Sequence, residues 1–445
     1  MPERIHILTI EIGSTITKVN GFLQSQHGSL VQVAQGFAPT SIAQGDVMPG
    51  VEQALQQVKN GSTAIESEAE VFINSSAAGG LRMTVHGLTY SMTARAAREA
   101  ALGAGAIIKK VTAGLLDEYE LAEIREIHPN IILLAGGVDY GEKDIVLENA
   151  RRIAHLALKI PVVYAGNRAL HKPVAEIFKN VAIDLLIADN VFPEVDVLNI
   201  EPLRHIIHEV FNRHIIHAPG MSRLAELTRH GILPTPGAVL LASELFAEEL
   251  GDCLVFDVGG ATTDVHSVTD GSQEWSLKLL EPEPRAKRTV EGDLGVFINA
   301  KNIIEIVQDW EIEDGLAELQ AIPVTDKQIE LTHWLCTKAV EISAKRHAAL
   351  VTDLYTPTGR KQVVKGKDLT AVKKVIGTGG ALTRVTGGAE ILQRICTGAG
   401  KYLLPQPGTP ILLDNAYLFS ALGTIAQNYP DEVKSTFVDW VGRDI

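Results

Sequence analysis

Residues 5–36 alternate apolar and polar positions, with breaks at Gly13, Gly21 and Gly28. That period predicts a three-stranded antiparallel meander. Val51, Leu55 and Val58 recur at helical spacing and predict a helix over 48–60. Residues 70–74 predict a further strand. An Ala-rich stretch predicts a helix over 91–107, capped by Ser91 or Thr93, and 112–127 a second helix. Residues 130–137 form a buried strand running into a Gly-Gly turn, with a helix over 142–158. Two short apolar runs, 161–167 and 184–189, flank a helix near 171–180 and predict a βαβ-type extension. A helix over 201–211 follows.

The pattern then restarts. Leu254, Val255 and Phe256 predict a buried strand ending at Asp257. Gly259 and Gly260 allow a tight turn, Ala261, Thr262 and Thr263 are small, and Asp264 opens a second strand over 265–268. The polar stretch 281–295 predicts a loop and 294–350 a helical middle. Val375 and Ile376 then lead into Gly377, Gly379, Gly380 and a helix. Residues 414–426 predict a helix whose small Ala421 and Gly423 allow close packing as a connector. An acid–Gly turn precedes a strand–Gly-Gly–helix unit by roughly 120 positions in each half. The expectation is a duplicated α/β fold. Residues 1–245 form a first domain enlarged by the βαβ block, and 246–445 a second ending in the connector helix.

The turns suit phosphate chemistry. Glu11, Gly13, Ser14, Thr15 and Lys18 in the first half match Asp257, Gly259, Gly260, Ala261 and Thr262 in the second. Such turns present N–H groups and hydroxyls to phosphate oxygens. Glu11 and Asp257 at the strand ends suit Mg²⁺, directly or through water. The alternative is a pair of ordinary Gly-turn hairpins with acids as turn formers. Gly377, Gly379 and Gly380 would let an adenosine lie against bare backbone, beside a helix N-terminus that favours phosphate.

Other motifs stay divided. The turn at Ala77, Ala78, Gly79 and Gly80, with Arg82 after it, is either a ligand approach or tight packing. Arg285, Lys287 or Arg288 could meet a polyphosphate, with Glu291 or Asp293 orienting a water, or all could be solvated. His205, His208, His214 and His217 invite a zinc reading, but helical spacing among apolar residues favours exposed or core histidines.

A formal charge of -14 argues against nucleic-acid and anionic-membrane partners. Cys253, Cys336 and Cys396 are scattered, as in a reducing compartment. No signal peptide is visible, and no apolar run approaches the ~20 residues of a membrane span. A cytoplasmic protein is expected.

Together these motifs resemble the actin/Hsp70/hexokinase ATPase superfamily. Within it, EIGSTITK, SSAAGGLRM, LLAGGVDYG, APG at 218–220, DVGGATTDVHS, RTVEGDLG and GTGGALT resemble the MutL/GlmL family. That family comprises methylaspartate (glutamate) mutase accessory proteins. The resemblance implies two RNase H-like domains around Mg·ATP. It also implies a chaperone-like, reactivating ATPase that exchanges damaged cobalamin on a coenzyme B12-dependent mutase. Asp257 would be catalytic, orienting metal or water. A DxHxxG motif is absent, so cobalamin binding by the chain itself is not expected. A small-molecule kinase of the same fold is the main alternative. A filament-forming ATP-binding protein and a reductive activase with a cluster shared between chains come after it. A homo-oligomer is compatible with all four.

Overall fold

The computed structural model describes residues 4–443 apart from 26–27, 42–44, 62, 77–80, 180, 182, 216–220 and 357–358. The chain opens on the antiparallel meander β1 (Ile5–Ile12), β2 (Ile16–Gln24) and β3 (Leu30–Pro39). The helix Met48–Lys59 crosses to β4 (Ile65–Ser75), which lies parallel to β1 with Asn74 opposite Glu11. A parallel pair needs such a crossover, whereas a meander needs only turns. Five parallel strands follow: β5 (Arg82–Gly87), β6 (Ile107–Ala113), β7 (Ile131–Leu134), β8 (Val162–Tyr164) and β9 (Leu185–Ile187). The short β10 (Ile232–Pro234) pairs with β4 and completes a first mixed sheet, in the order β10-β4-β1-β2-β3.

The meander recurs as β11 (Cys253–Val258), β12 (Thr263–Val268) and β13 (Ala286–Glu291). A hairpin of β14 (Ala349–Thr356) and β15 (Gly359–Lys365) comes next. Then come β16 (Lys374–Thr378), β17 (Tyr402–Leu403) and β18 (Ile411–Leu413). The second mixed sheet runs β13-β12-β11-β16-β18, the same order as the first, and β15-β14-β17 form a small sheet. The duplicated α/β fold is therefore present.

Two compact units result. Met1–Ala77 with Pro219–Ile445 holds both mixed sheets and the small one; Ala78–Ala218 holds the parallel sheet. In the first unit the helices Thr235–Leu250 and Leu418–Ile425 pack at backbone distance. A Cβ on Gly423 would stand 1.8 Å from the Ala238 carbonyl oxygen. The close packing expected of this helix is thus present at Gly423. Phe246, Phe419 and Phe437 cluster there in tilted and edge-on contacts, with ring centroids 5.0–5.7 Å apart. Among the described residues no helix is long and apolar enough to cross a membrane.

Four local expectations are corrected. The strand matching β16 in the first half is β4, not 130–137, which belongs to the parallel sheet. A buried strand before a Gly-Gly turn is a local signal that any parallel strand feeding a helix can give. Strand β6, 107–113, takes over the expected end of one helix at 107 and the expected start of the next at 112: the β-branched Ile107, Ile108, Val111 and Thr112 suit a sheet edge. The helix after it starts late, at Glu118, where Asp117 and Glu120 form a capping box. Residues 286–291 form β13 rather than loop, because buried ion pairs absorb the charges that mask its strand character. The Ala-rich helix spans Arg95–Gly103, after a π-turn over Tyr90–Ala94. Thr93 Oγ1 accepts the Leu88 and Thr89 N–H groups there.

Candidate functional site

β1 and β2 place Glu11 directly opposite Lys18. The Lys18 ammonium donates to Glu11 Oε1 at 2.8 Å and lies 4.2 Å from the Tyr417 ring centre. Ser420 Oγ donates to the other Glu11 oxygen. Burial works against the Lys18 charge, but Glu11, then Asp257 and Tyr417, outweigh it and raise its pKa. Gly13 closes the hairpin turn with its N–H on the Ile16 carbonyl, which a Cβ would approach to 2.7 Å.

β11 and β12 repeat this geometry with Asp257 opposite Asp264, and Gly259 N–H donates to the Thr262 carbonyl. The two turns are neighbours: a Cβ on Gly260 would stand 3.8 Å from Thr15 Oγ1. The Gly259 and Gly260 carbonyls are taken by the N–H groups of Val296, Phe297 and Ile298. The N–H groups of Ser14, Thr15, Gly260 and Ala261 donate to no acceptor among the described residues. Opposed small-residue turns whose N–H groups meet no protein acceptor are suited to an anion.

Asp257 is the electrostatic centre. Burial pushes its carboxyl up to about 7, Asp264 adds to this, Lys18 opposes it, and Glu11 and Asp414 raise it further. A carboxyl held there is poised to exchange a proton near neutrality. Asp257 accepts no hydrogen bond among the described residues, whereas both Glu11 oxygens are engaged. Among the described residues no three acidic, Cys or His side chains form a metal cluster. A magnesium ion needs only one or two carboxylates beside phosphate and water. The residues fit that mode, Asp257 by its free oxygens and Glu11 only through water.

The third motif meets the second directly. Gly379 has φ +87, and a Cβ there would lie 2.4 Å from the Val258 carbonyl oxygen and 2.9 Å from Asp257 Oδ1. Gly377 lies within β16, and Leu392, Leu413 and Leu382 fill the room it leaves. Gly380 is open, with Tyr417 Oη 3.8 Å from its missing Cβ.

Asp414 and Arg384 escaped the sequence reading, whereas Arg288, a polyphosphate candidate there, is paired inside the fold instead. Asp414, fully buried, accepts the N–H groups of Leu418 and Phe419 and the Thr378 hydroxyl. Its position before an apolar helical run signals a helix cap and gives no hint of a site. Arg384 stacks on Tyr417, with 5.1 Å to the ring centre, and donates to its hydroxyl. Arg288 donates to Asp264 Oδ1 through Nε (2.9 Å) and Nη2 (2.6 Å), both side chains being buried. Removing one partner of a buried ion pair leaves a bare charge. Arg288→Met should therefore cost roughly 3–5 kcal/mol. The check is the urea midpoint, with partial recovery expected in the Arg288→Met/Asp264→Asn double variant.

The other basic candidates are engaged elsewhere. Arg285 pairs with Asp252 at 3.1 Å and with Asp270, and Lys287 with Glu283 at 2.8 Å. Glu291 and Asp293 together hold Arg346, at 2.6 and 2.8 Å. Burial raises the Glu291 pKa, while Arg346 lowers that of Asp293. Arg82 donates through its N–H and Nε to Asn130 Oδ1, inside the parallel-sheet unit. His208 is buried in the helix Glu201–Ile215, and burial, then Arg204 and His205, push it down to about 4, as for a core histidine. Residues 77–80, His217 and the APG motif lie outside the described residues.

The model of the family described as "MutL protein" matches residues 7–441. The chain belongs to the MutL family. Protein MutL of Clostridium tetanomorphum is 35% identical over 454 residues, covering 96% of both chains. Among solved structures, the nucleotide-free acetone carboxylase is 13% identical, covering 95% of this chain and 70% of that one, at TM-score 0.43. A nucleotide-free diol dehydratase-reactivating factor is 11% identical, covering 97% of this chain and all of that one, at TM-score 0.35. The motifs that signalled the MutL family in the sequence include both hairpins of the site.

Proposed function

We propose that this MutL-family chain is a cytoplasmic ATPase that services a partner enzyme, a coenzyme B12-dependent mutase of the glutamate (methylaspartate) type. One observation carries the ATPase part: a carboxyl at about 7, Asp257, beside two opposed turns with free N–H donors. Residues 1–245 and 246–445 act as two lobes, and ATP lies between their hairpins. Ser14, Thr15, Gly260, Ala261 and Thr262 hold the phosphates, with Lys18 neutralising one oxygen. Gly379 and Gly380 give the nucleoside bare backbone, and Arg384 and Tyr417 a stacked edge. Asp257 and, through water, Glu11 would hold a magnesium ion, which would supply charge neutralisation for the phosphates. Asp257 orients the attacking water and takes its proton.

Hydrolysis matters only if nucleotide states bind the partner differently. Ser420 gives a physical link, because its hydroxyl ties Glu11 to the helix Leu418–Ile425 that packs on the helix Thr235–Leu250. The test mixes cobalamin-inactivated mutase with this protein, fresh adenosylcobalamin and Mg·ATP. Recovery of mutase activity that needs ATP and is lost in Asp257→Asn is the expected result. ATP hydrolysis without recovery would remove the mutase as partner. ADP formation that depended on an added metabolite would instead favour a small-molecule kinase.

A further inference from the structure

The five strands of the Ala78–Ala218 unit end in register. Gly87 lies opposite Ala113, His86 opposite Leu134, Leu134 opposite Tyr164, and Tyr164 opposite Ile187. The loops that follow them therefore emerge along one edge. In the order β6-β5-β7-β8-β9 the chain first steps to one side of β5 and then continues on the other. Open parallel sheets bind ligands outside their carboxyl ends, at such a reversal.

The edge is firmly built. Asn167, fully buried, accepts the N–H groups of Tyr140 and Ala169 and donates to the Glu142 carbonyl. Asn190 donates to the Gly137 carbonyl and to Asp139. On this base large apolar side chains stand in water. Tyr90 follows β5 and is 65% exposed, Tyr119 follows β6 at 84%, and Tyr140 follows β7 at 72%. Leu115, Val195 and Val197 on neighbouring loops are also exposed. Tyr140 and Asp196 adopt left-handed backbone, φ 62 and 63, which non-glycine residues enter at a cost. Exposed apolar side chains concentrated on one edge mark a binding surface.

Charge selects the occupant. The same loops expose Asp117, Glu118, Asp144, Asp189, Glu194 and Asp196, against the cations Lys143 and Arg168, so acids predominate. Acids among tyrosines repel nucleic acid and anionic lipid. They attract Arg and Lys, whose stems pack on the rings while their charges meet carboxylates. We propose that this carboxyl edge docks the partner protein, through a patch of Arg and Lys side chains set among apolar ones on that partner. The assignment rests on the accessory role proposed above and names the face that performs it.

The test measures binding of the mutase to the full chain by surface plasmon resonance, with ADP and with Mg·ATP. Two double variants are compared with the unaltered chain: Tyr90→Ala/Tyr119→Ala and Glu118→Lys/Glu194→Lys. Losing an aromatic anchor pair should raise Kd roughly 30-fold or more. Reversing the charges should slow association about tenfold at low salt and flatten its salt dependence. ATP hydrolysis by the isolated chain and the melting temperature should stay unchanged in both. Full affinity in both variants would overturn the docking face and leave the accessory role standing. No binding by the unaltered chain in either nucleotide state would remove the mutase as partner, and with it the docking face assigned to that partner.

Discussion

Asp257→Asn is expected to lower ATP hydrolysis roughly 10²–10⁴-fold, the usual worth of a positioned base, while making the fold more stable at pH 8. The second effect follows from linkage. The carboxyl has an ordinary value of 3.8 and reaches about 7 in the fold, so the native state binds the proton more tightly than the unfolded chain. Stability from this group is therefore lost as pH rises from about 4 to about 7, and the full penalty holds above that. Each unit corresponds to about 1.4 kcal/mol, so the penalty is at most about 4 kcal/mol. The amide carries no charge at any pH. The variant should melt higher than the parent at pH 8, and the difference should vanish near pH 4. Calorimetric melts across that range, paired with phosphate-release rates, check both effects. An inactive variant without the pH-dependent gain would show that Asp257 is not the group strained by Glu11, Asp264 and Asp414.

Gly423→Ala should be among the most damaging glycine exchanges at the described residues of the first unit. The added methyl would sit 1.8 Å from the Ala238 carbonyl oxygen, a backbone atom that no rotamer change can move aside. The helices Thr235–Leu250 and Leu418–Ile425 must separate, and the Phe246–Phe419–Phe437 cluster opens with them. A cost of at least about 3 kcal/mol is expected, at the upper end for overpacking. Gly400→Ala is the control: nothing lies within 4 Å of its missing Cβ, so its change should stay within about 0.5 kcal/mol. Denaturant unfolding of both variants measures the contrast. The same substitution should blunt ATP hydrolysis, because the displaced helix carries Ser420 away from Glu11. A destabilised variant with normal hydrolysis would separate the helix crossing from the site.

Both hairpins of the site were legible in the chain itself. An apolar strand, an acid at its end, a glycine turn and small hydroxyl residues are all local signals, and hairpin pairing joins residues a few positions apart. Family membership was legible for the same reason, since it is carried by short stretches such as EIGSTITK and DVGGATTDVHS. Long-range pairing was not. Only the sheets decide that β4, and not 130–137, answers β16, because both runs are buried strands before small-residue turns. β13 was hidden because Arg288 and Glu291 look solvated until Asp264 and Arg346 arrive from other elements, and because Lys287 pairs with Glu283 only four residues before it in the same polar stretch. The chemistry of Asp257 was also a tertiary product. Its position was evident from sequence, but its pKa depends on burial and on Asp264, Lys18, Glu11 and Asp414, up to about 250 residues away. Local sequence determined which groups the two hairpins of the candidate site present. Packing, which sets desolvation and charge distances, decided what those groups do.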